Sequence, residues 1–152
     1  MTGVSREEVQ KALDRLAARG LSLLVEKGGR ELFSSREDGL RPLFAAVERL
    51  GEAMAGARVI DKVVGGAAAK LLVYARVREV FAAVASRAAI RTLGAAEIPL
   101  GALHVVERIR GRTGDPCPFE ALAETIPDPA TFLEALRHRL GGTRTGGMGA
   151  SG

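Results

Sequence analysis

The sequence predicts a three-layer α/β/α domain built on a mixed five-stranded sheet. Strand-like and helix-like apolar patterns alternate along most of the chain, and two strand-like segments flank a Lys27-Gly28-Gly29 turn. Within Ala57–Tyr74 an apolar strand leads through two glycines straight into a helix. Strands separated by single helices pair in parallel through right-handed crossovers, whereas the hairpin adds an antiparallel pair. Helices are therefore expected on both faces of the sheet.

The first half of the chain predicts two helices and three strands. Ser5 and Glu8 have capping-box spacing, which starts a helix, and Gly20 is its expected stop. Pro42 suits the first turn of a second, amphipathic helix. The predicted elements are a helix at Ser5–Arg19, strands at Leu21–Glu26 and Arg30–Ser34, a helix at Arg41–Ala55 and a strand at Arg58–Val64.

The second half continues the alternation and ends in helices. Ser86 is the expected N-cap of the helix after the fourth strand, with Gly94 as its stop, and Asp128 is the expected N-cap of the last helix. The predicted elements are a helix at Ala67–Tyr74, a strand at Glu79–Ala85, a helix at Arg87–Leu93, a strand within Leu103–Ile109, a short helix from Pro118 and a helix at Pro129–Leu140. Residues 1–140 form one predicted domain, and 141–152 a disordered tail.

Composition narrows the classes of protein. A hydrophobic content of 47% supports a core, a single cysteine excludes an internal disulfide, and no apolar run reaches the ~20 residues of a membrane span. We therefore expect a soluble, cytoplasmic protein without a membrane partner. The net charge of +4 is spread along the chain, and pairs such as Arg87 and Arg91 have the spacing of a solvated helix face. We accordingly expect small anionic ligands as partners and do not expect nucleic acid.

The Gly65-Gly66 joint is the first candidate site. A strand that runs into a helix directs unpaired backbone N–H groups and the positive end of the helix dipole at whatever lies above the strand, which suits a phosphate or a carboxylate. The alternative is a tight joint in which glycine serves only close packing. No GxGxxG or GK[ST] motif decides between them.

Asp61 and Lys62 are charged residues inside an otherwise apolar strand, which is costly unless they are paired or face a cleft. Strand alternation places them on opposite faces of the sheet. Lys62 could bind an anion or act as an amine nucleophile, and Asp61 could hold a ribose hydroxyl. The alternative is an internal Asp–Arg or Lys–Glu pair.

The segment from Arg112 to Cys117 is the third candidate. Arg112, Thr113 and Gly114 offer a guanidinium, a hydroxyl and a flexible backbone for grasping phosphate, or they form a plain solvated loop. Cys117 precedes Pro118 at a predicted helix start, where the dipole would favour a reactive thiolate. The alternative is a buried, inert thiol.

Three sequence blocks carry a resemblance that spans roughly residues 21–120. FSSREDGLRPL at Phe33–Leu43, DKVVGGAAAKLLV at Asp61–Val73 and RTGDPCPFE at Arg112–Glu120 resemble the signature blocks of a small uncharacterised family of the cytidine deaminase-like superfamily. The resemblance implies a cytidine deaminase-like fold, a pocket above the sheet and a homo-oligomer, for which we expect a homodimer.

The resemblance does not extend to the zinc ligands of active deaminases. Those enzymes carry His-x-Glu or Cys-x-Glu on one helix and Pro-Cys-x-x-Cys at the next helix start. The corresponding positions here are Gly39-Leu40-Arg41 and Val64–Ala68, which supply no ligand, and no second cysteine follows Cys117. We therefore expect no metal and no zinc-dependent deamination, and His104 and His138 receive no assigned role.

Our interpretation is a zinc-free binding module for a nucleotide or related anionic metabolite, with no other cofactor. The expected ligand-binding residues are Asp61, Lys62, Gly65, Gly66, Arg112, Thr113 and Gly114. A non-zinc enzyme that uses Cys117 or Lys62 as its nucleophile is the first alternative, and a structural or interaction protein is the second.

Overall fold

The computed structural model of the chain describes residues 4–110, 114 and 117–141. Its helices are α1 (Arg6–Ala18), α2 (Arg41–Leu50), α3 (Gly66–Ala75), α4 (Arg87–Ala95), α5 (Pro118–Thr125) and α6 (Pro129–Leu136). Its strands are β1 (Leu23–Lys27), β2 (Arg30–Ser35), β3 (Arg58–Val64), β4 (Glu79–Ser86) and β5 (Leu100–Val106). Residues 142–152 of the predicted tail lie outside the described residues, whereas Gly141 closes a π-helical turn, Arg137–Gly141.

The sheet has the order β2-β1-β3-β4-β5. β1 is antiparallel to both β2 and β3, and β3, β4 and β5 are mutually parallel. Successive residues of β3 enter different cores, because Val59 packs with α2, α3 and α6, whereas Ile60 packs with α1. The predicted mixed five-stranded sheet with helices on both faces is therefore confirmed.

Local capping signals set several helix starts. The Ser5 hydroxyl accepts from the Glu8 amide at 3.1 Å, and the Glu8 carboxylate accepts from the Ser5 amide, which completes the predicted capping box. Ser86 caps α4 through the Ala89 amide at 3.1 Å, and Asp128 caps α6. These caps fix where the chain turns from strand or loop into helix.

β5 differs from its predicted position, since it begins at Leu100 and ends at Val106 rather than lying within Leu103–Ile109. Pro99 and Gly101 resemble strand breakers in sequence, yet the Pro99 carbonyl accepts from the Val80 amide at 3.0 Å and leads directly into the strand. Gly101 is required by packing, because a Cβ there would lie 2.5 Å from Cγ2 of Val9 on α1. Gly101 therefore reflects the close approach of α1 to β5 rather than a break in the strand.

Other element ends also differ from the predictions: α6 ends at Leu136 rather than Leu140, and β1 begins at Leu23 rather than Leu21. α2 stops at Leu50, since Gly51 has a φ of 53°, and a 3₁₀ turn at Gly51–Met54 replaces its predicted last turn. α4 runs through Gly94 to Ala95. In the described part of the chain no helix has the length and hydrophobicity to cross a membrane.

Candidate functional site

A cavity of about 410 Å³ opens at the carboxyl end of β3, where parallel strands end and helices begin. Its wall includes four of the predicted candidates, namely Asp61, Lys62, Gly65 and Cys117, together with Glu120. We call it the β3 cavity. The remaining wall is largely apolar, with Leu40, Val63, Ile109 and Phe119 among its members. The fold thus brings together residues from β3, the start of α3 and the start of α5.

The backbone N–H groups at the start of α3 are occupied by an internal carboxylate. The Gly66 amide donates to Glu120 Oε1 at 2.8 Å, and the Ala67 amide donates to both carboxylate oxygens at 3.3 Å. The prediction that these N–H groups are unpaired is wrong, because α5 delivers a carboxylate to the place where the helix dipole favours one. A Cβ at Gly65 would overlap Glu120 Oε2, so a larger residue there would displace the carboxylate from its present position.

Burial raises the pKa of the Glu120 carboxyl above its ordinary value. The amides of Ala67 and Gly66 oppose this rise, since their hydrogen bonds favour the ionised form, and the nearby Glu124 adds to it. Glu120 is therefore an internal ligand that is protonated more readily than an exposed glutamate.

Asp61 is a second carboxyl in the same wall and, unlike the partly buried Glu120, it is buried, with 9% of its surface exposed. Burial raises its pKa from 3.8 to about 7, the backbone amides of Val63 and Lys62 oppose the rise, and Asp38 adds to it. Within residues 4–110, 114 and 117–141 the structure gives Asp61 no ion pair, so an internal Asp–Arg pair does not account for its burial there. Its carboxyl therefore changes charge near neutral pH, inside a mostly apolar cavity.

Lys62 lies at the mouth of the β3 cavity and is exposed, while its neighbour Asp61 is buried. Its ammonium lies 3.3 Å from the Asp38 carboxylate, and the two side chains are 52% and 63% exposed. The partner is an aspartate on the loop before α2 rather than the glutamate of the alternative interpretation. Exposed pairs of this kind contribute only about 0–1 kcal/mol, so Lys62 can exchange its partner for a ligand anion.

Cys117 is the N-cap residue of α5, as predicted, and is partly buried in the cavity wall. Its side chain makes no capping hydrogen bond. His104 on β5 and His138 in the π-helical turn are exposed, and neither lines the cavity. Among the described residues no histidine therefore stands beside Cys117 as a base.

The remaining predicted site residues lie apart from this wall or beyond the described residues. Gly114 has a φ of 88°, its carbonyl accepts from the Arg110 guanidinium at 3.4 Å, and it does not line the β3 cavity. Arg112 and Thr113 lie outside the described residues. Their assignment as ligand-binding residues remains a prediction.

Residues 11–140 of the chain match the family described as a domain of unknown function, DUF1893. The chain belongs to the DUF1893 family. No curated protein matches it. A solved DUF1893 family protein from Thermotoga maritima is 28% identical, with a TM-score of 0.79 over 90% of this chain and 92% of that one. The predicted resemblance to an uncharacterised family is thereby confirmed.

Deaminases are also among the similar solved structures. A diaminohydroxyphosphoribosylaminopyrimidine deaminase/5-amino-6-(5-phosphoribosylamino)uracil reductase from Thermotoga maritima is 14% identical, with a TM-score of 0.47 over 64% of this chain and 36% of that one. RibD from Acinetobacter baumannii is 18% identical, with a TM-score of 0.44 over 86% of this chain and 39% of that one. The DUF1893 chain thus spans less than half of either protein.

Residues from the two segments that the sequence resemblance aligns with the zinc blocks of deaminases meet at the β3 cavity of the DUF1893 domain. Gly39 and Leu40 from the first block and Gly65 and Ala68 from the second all line it. None of the four has a side chain that binds a metal. Within the described ranges the structure contains no group of three or more His, Cys, Asp or Glu side chains that could hold a metal ion.

Sequence reasoning missed the contribution of Glu120 to this site. It was visible only as the residue three positions after Cys117, and its partner Gly66 lies 54 residues earlier. It also missed Ser22, which lines the cavity. The buried Ser22 hydroxyl donates to the carbonyls of Ser35 and Glu37 and so ties the end of β2 to the residue before β1. The glycine at position 65 was a usable signal for a close neighbour, although not for the identity of that neighbour.

Proposed function

We propose that the DUF1893 domain is a binding module for a nucleotide or related anionic metabolite and that the β3 cavity receives the ligand's ring. One observation carries this proposal: the buried Asp61 carboxyl lies in the wall of a ligand-sized cavity without an ion pair among the described residues. A buried carboxyl is costly unless hydrogen-bond donors satisfy it. The backbone amides of Val63 and Lys62 already donate to this carboxyl, and a ligand that donates hydrogen bonds would add to the charge compensation that they provide.

The lining of the cavity favours a flat heterocycle over a simple anion. Leu40, Val63 and Phe119 provide apolar surface, while Asp61 and Glu120 provide acceptors when ionised and a donor when protonated. Small-molecule sites typically combine an apolar wall with a few polar groups in about 300–1,000 Å³. A ring with both N–H donors and acceptor nitrogens or oxygens, as in a nucleobase, matches this set.

The anionic part of the ligand does not require the start of α3. Those N–H groups already donate to Glu120, so an external phosphate would have to displace a carboxylate. Lys62 and Arg110 line the same cavity and carry exposed positive charge. We therefore place the ring inside the cavity and the negative group at its rim.

Catalysis by Cys117 is less well supported than binding. Cys117 shares the cavity wall with Asp61, which favours a role for the thiol in contact with a ligand. However, His104 and His138 lie elsewhere, and Lys62 is paired with Asp38. Ligand binding needs none of these groups to be activated, so it is the function that the geometry supports better.

Substitution of Asp61 by its uncharged isostere tests the proposal. Isothermal titration calorimetry of the wild-type chain against the four common nucleosides and their 5′-monophosphates should identify at least one ligand. Asp61→Asn should lower the affinity for that ligand about tenfold or more, because a hydrogen bond to a charged group is lost or reversed. Asp14→Asn on α1, where the exposed carboxylate accepts only from Gln10 in the described structure, should bind like the wild type.

Two results would contradict the proposal. Absence of binding for all eight probes would favour the structural or interaction role instead. Unchanged affinity in Asp61→Asn would separate ligand binding from the β3 cavity.

A further inference from the structure

A second cavity of about 680 Å³ lies on the far side of Glu120, at the start of α4 and beside the segment that follows β5. Its charged lining holds four arginines and three glutamates. Arg87 and Arg91 come from α4, Arg108 and Arg110 follow β5, and the acidic residues are Glu107, Glu120 and Glu124. We call the four arginines and the cavity between them the arginine cleft. Two distant parts of the chain thus deliver positive charge to one concave surface.

The start of α4 carries positive charge that an exposed ion pair with Glu107 offsets in part. Arg87 is the first residue of this helix, no acidic residue stands in its first turn, and Arg91 follows one turn later. A cation at a helix N-terminus opposes the helix dipole, and like charges four residues apart repel each other. An anion in the cleft would relieve both effects. Arg87 and Arg91 are exposed, as the predicted solvated helix face implies, but they also line a cavity.

The arginines of the cleft retain capacity to bind an external group. Arg87 pairs with Glu107 at 2.6 Å and Arg108 pairs with Glu124 at 2.8 Å, but all four side chains are more than half exposed, so these pairs are weak. In the part of the chain that the structure describes, Arg91 and Arg110 have no acidic partner, and Arg110 donates only to the Gly114 carbonyl.

The arginine cleft and the β3 cavity share a wall formed by Ile109, Arg110, Cys117 and Glu120. The two cavities are therefore adjacent, and a ligand that occupies both would pass these side chains. Arginine presents a planar fork of donors that matches phosphate oxygens in pairs. The volume of the cleft is larger than a single phosphate needs, which favours a diphosphate.

We propose that the arginine cleft binds the diphosphate group of the ligand whose ring enters the β3 cavity, so that the ligand class is a nucleoside diphosphate or a conjugate of one. The placement of the ring rests on the proposed function. The placement of the phosphates rests on the arginine cleft alone. Arg91 and Arg110 are assigned as the phosphate-binding residues, because their guanidinium groups are not held by a carboxylate of the described structure.

Inorganic pyrophosphate is the probe that tests the cleft without the ring. Calorimetry should show binding to the full-length wild-type chain, and Arg91→Ala and Arg110→Ala should each weaken it about tenfold, as expected for loss of a charged hydrogen bond. Arg30→Ala is the matched control, since Arg30 is an exposed arginine on β2 that lines neither cavity. All three residues are exposed, so these variants retain the fold.

The outcomes separate the two proposals. Absence of pyrophosphate binding, or equal binding by the Arg91→Ala/Arg110→Ala double variant, would overturn the cleft as a diphosphate site. Pyrophosphate binding that survives Asp61→Asn, together with a nucleoside diphosphate that binds more tightly than either the nucleoside or pyrophosphate, would support one shared ligand. Pyrophosphate binding with no nucleoside effect would sustain the anion site and overturn the shared ligand. Tighter binding of a single-stranded oligonucleotide than of any nucleoside diphosphate would overturn the assignment to a small molecule.

Discussion

Asp61 combines burial, a raised pKa and a position in a cavity wall. Its neighbour Lys62 is exposed and carries the opposite charge, so one residue of strand register separates a proton-binding group from a solvated cation. With its pKa raised to about 7, the charge of Asp61 is sensitive to pH near neutrality. Its protonation can therefore be followed through stability as well as through binding.

The raised pKa predicts how stability depends on pH. Asp61 binds a proton more tightly in the folded chain, at about 7, than at its ordinary value of 3.8, so the folded state holds the additional proton between these values. Relative to Asp61→Asn, the wild-type free energy of unfolding should therefore fall as pH rises through this window and level off above it, by about 4 kcal/mol at most. Urea unfolding of both proteins at about pH 5, 6 and 8 measures the difference. Parallel pH profiles would show that Asp61 is already ionised at the lower pH.

At the scale of elements, α5 is tied to the start of α3 by one carboxylate. Glu120 satisfies two amides of α3, and Ala123 on α5 enters the core that α3 also builds. The contact is the common wall of the β3 cavity and the arginine cleft, so the placement of α5 shapes both.

Removal of the Glu120 carboxylate should destabilise the contact between α5 and the start of α3. Glu120→Ala leaves the amides of Gly66 and Ala67 without their acceptor and should lower the free energy of unfolding by about 1–3 kcal/mol. Hydrogen exchange at the Ala67 amide should accelerate in the same variant. Glu120→Gln keeps an acceptor oxygen and should lose less, while Glu124→Ala, whose carboxylate makes an exposed pair with Arg108, should change stability little. Equal stability of Glu120→Ala and wild type would indicate that water replaces the carboxylate.

The elements also show how far sequence patterns reach. The bounds of β3 were predicted as found, because seven consecutive residues with one apolar pattern end at a glycine pair. β5 begins at Leu100, before its predicted segment, and its first residue lies between Pro99 and Gly101, whose types are uncommon in strands. Glu120 could not be assigned, since its contact with Gly66 arises only from the tertiary packing of α5. Local sequence patterns thus predicted most helices and strands, whereas the polar contacts between these elements follow from the tertiary structure.

In the whole molecule, the sheet separates two hydrophobic cores of unequal size. α1 packs through Val9, Leu13 and Leu16 onto Ile60 and Phe81 on one face. The other face carries the larger core that includes residues of α2, α3, α4 and α6. Because α1 crosses close to β5, the docking of the smaller layer depends on the absence of a side chain at Gly101. The predicted homodimer is a separate matter and remains a prediction.

A side chain at Gly101 should push α1 away from the sheet. In Gly101→Ala the new Cβ would stand 2.5 Å from Val9 Cγ2 and 3.2 Å from Val4 Cγ1, and the strain should cost about 1–3 kcal/mol of stability. Gly94→Ala in α4 is the matched control, because a Cβ there would enter open space and alanine favours a helix by about 0.5–1 kcal/mol. Thermal unfolding should therefore move in opposite directions for the two variants. Partial recovery in Gly101→Ala/Val9→Ala would identify the contact responsible, and equal shifts for both glycines would refute it.

The close approach of Gly65 to Glu120 also limits how this family can diverge. A side chain at position 65 would occupy the space of the Glu120 carboxylate and would come within 2.8 Å of Ile109 Cγ1. A larger residue there would force the Glu120 carboxylate to move away from the amides of Gly66 and Ala67, and the N–H groups of α3 would then be open to another partner. We therefore expect positions 65 and 120 to covary among relatives, since a change at one alters the acceptor that the other can place on the start of α3.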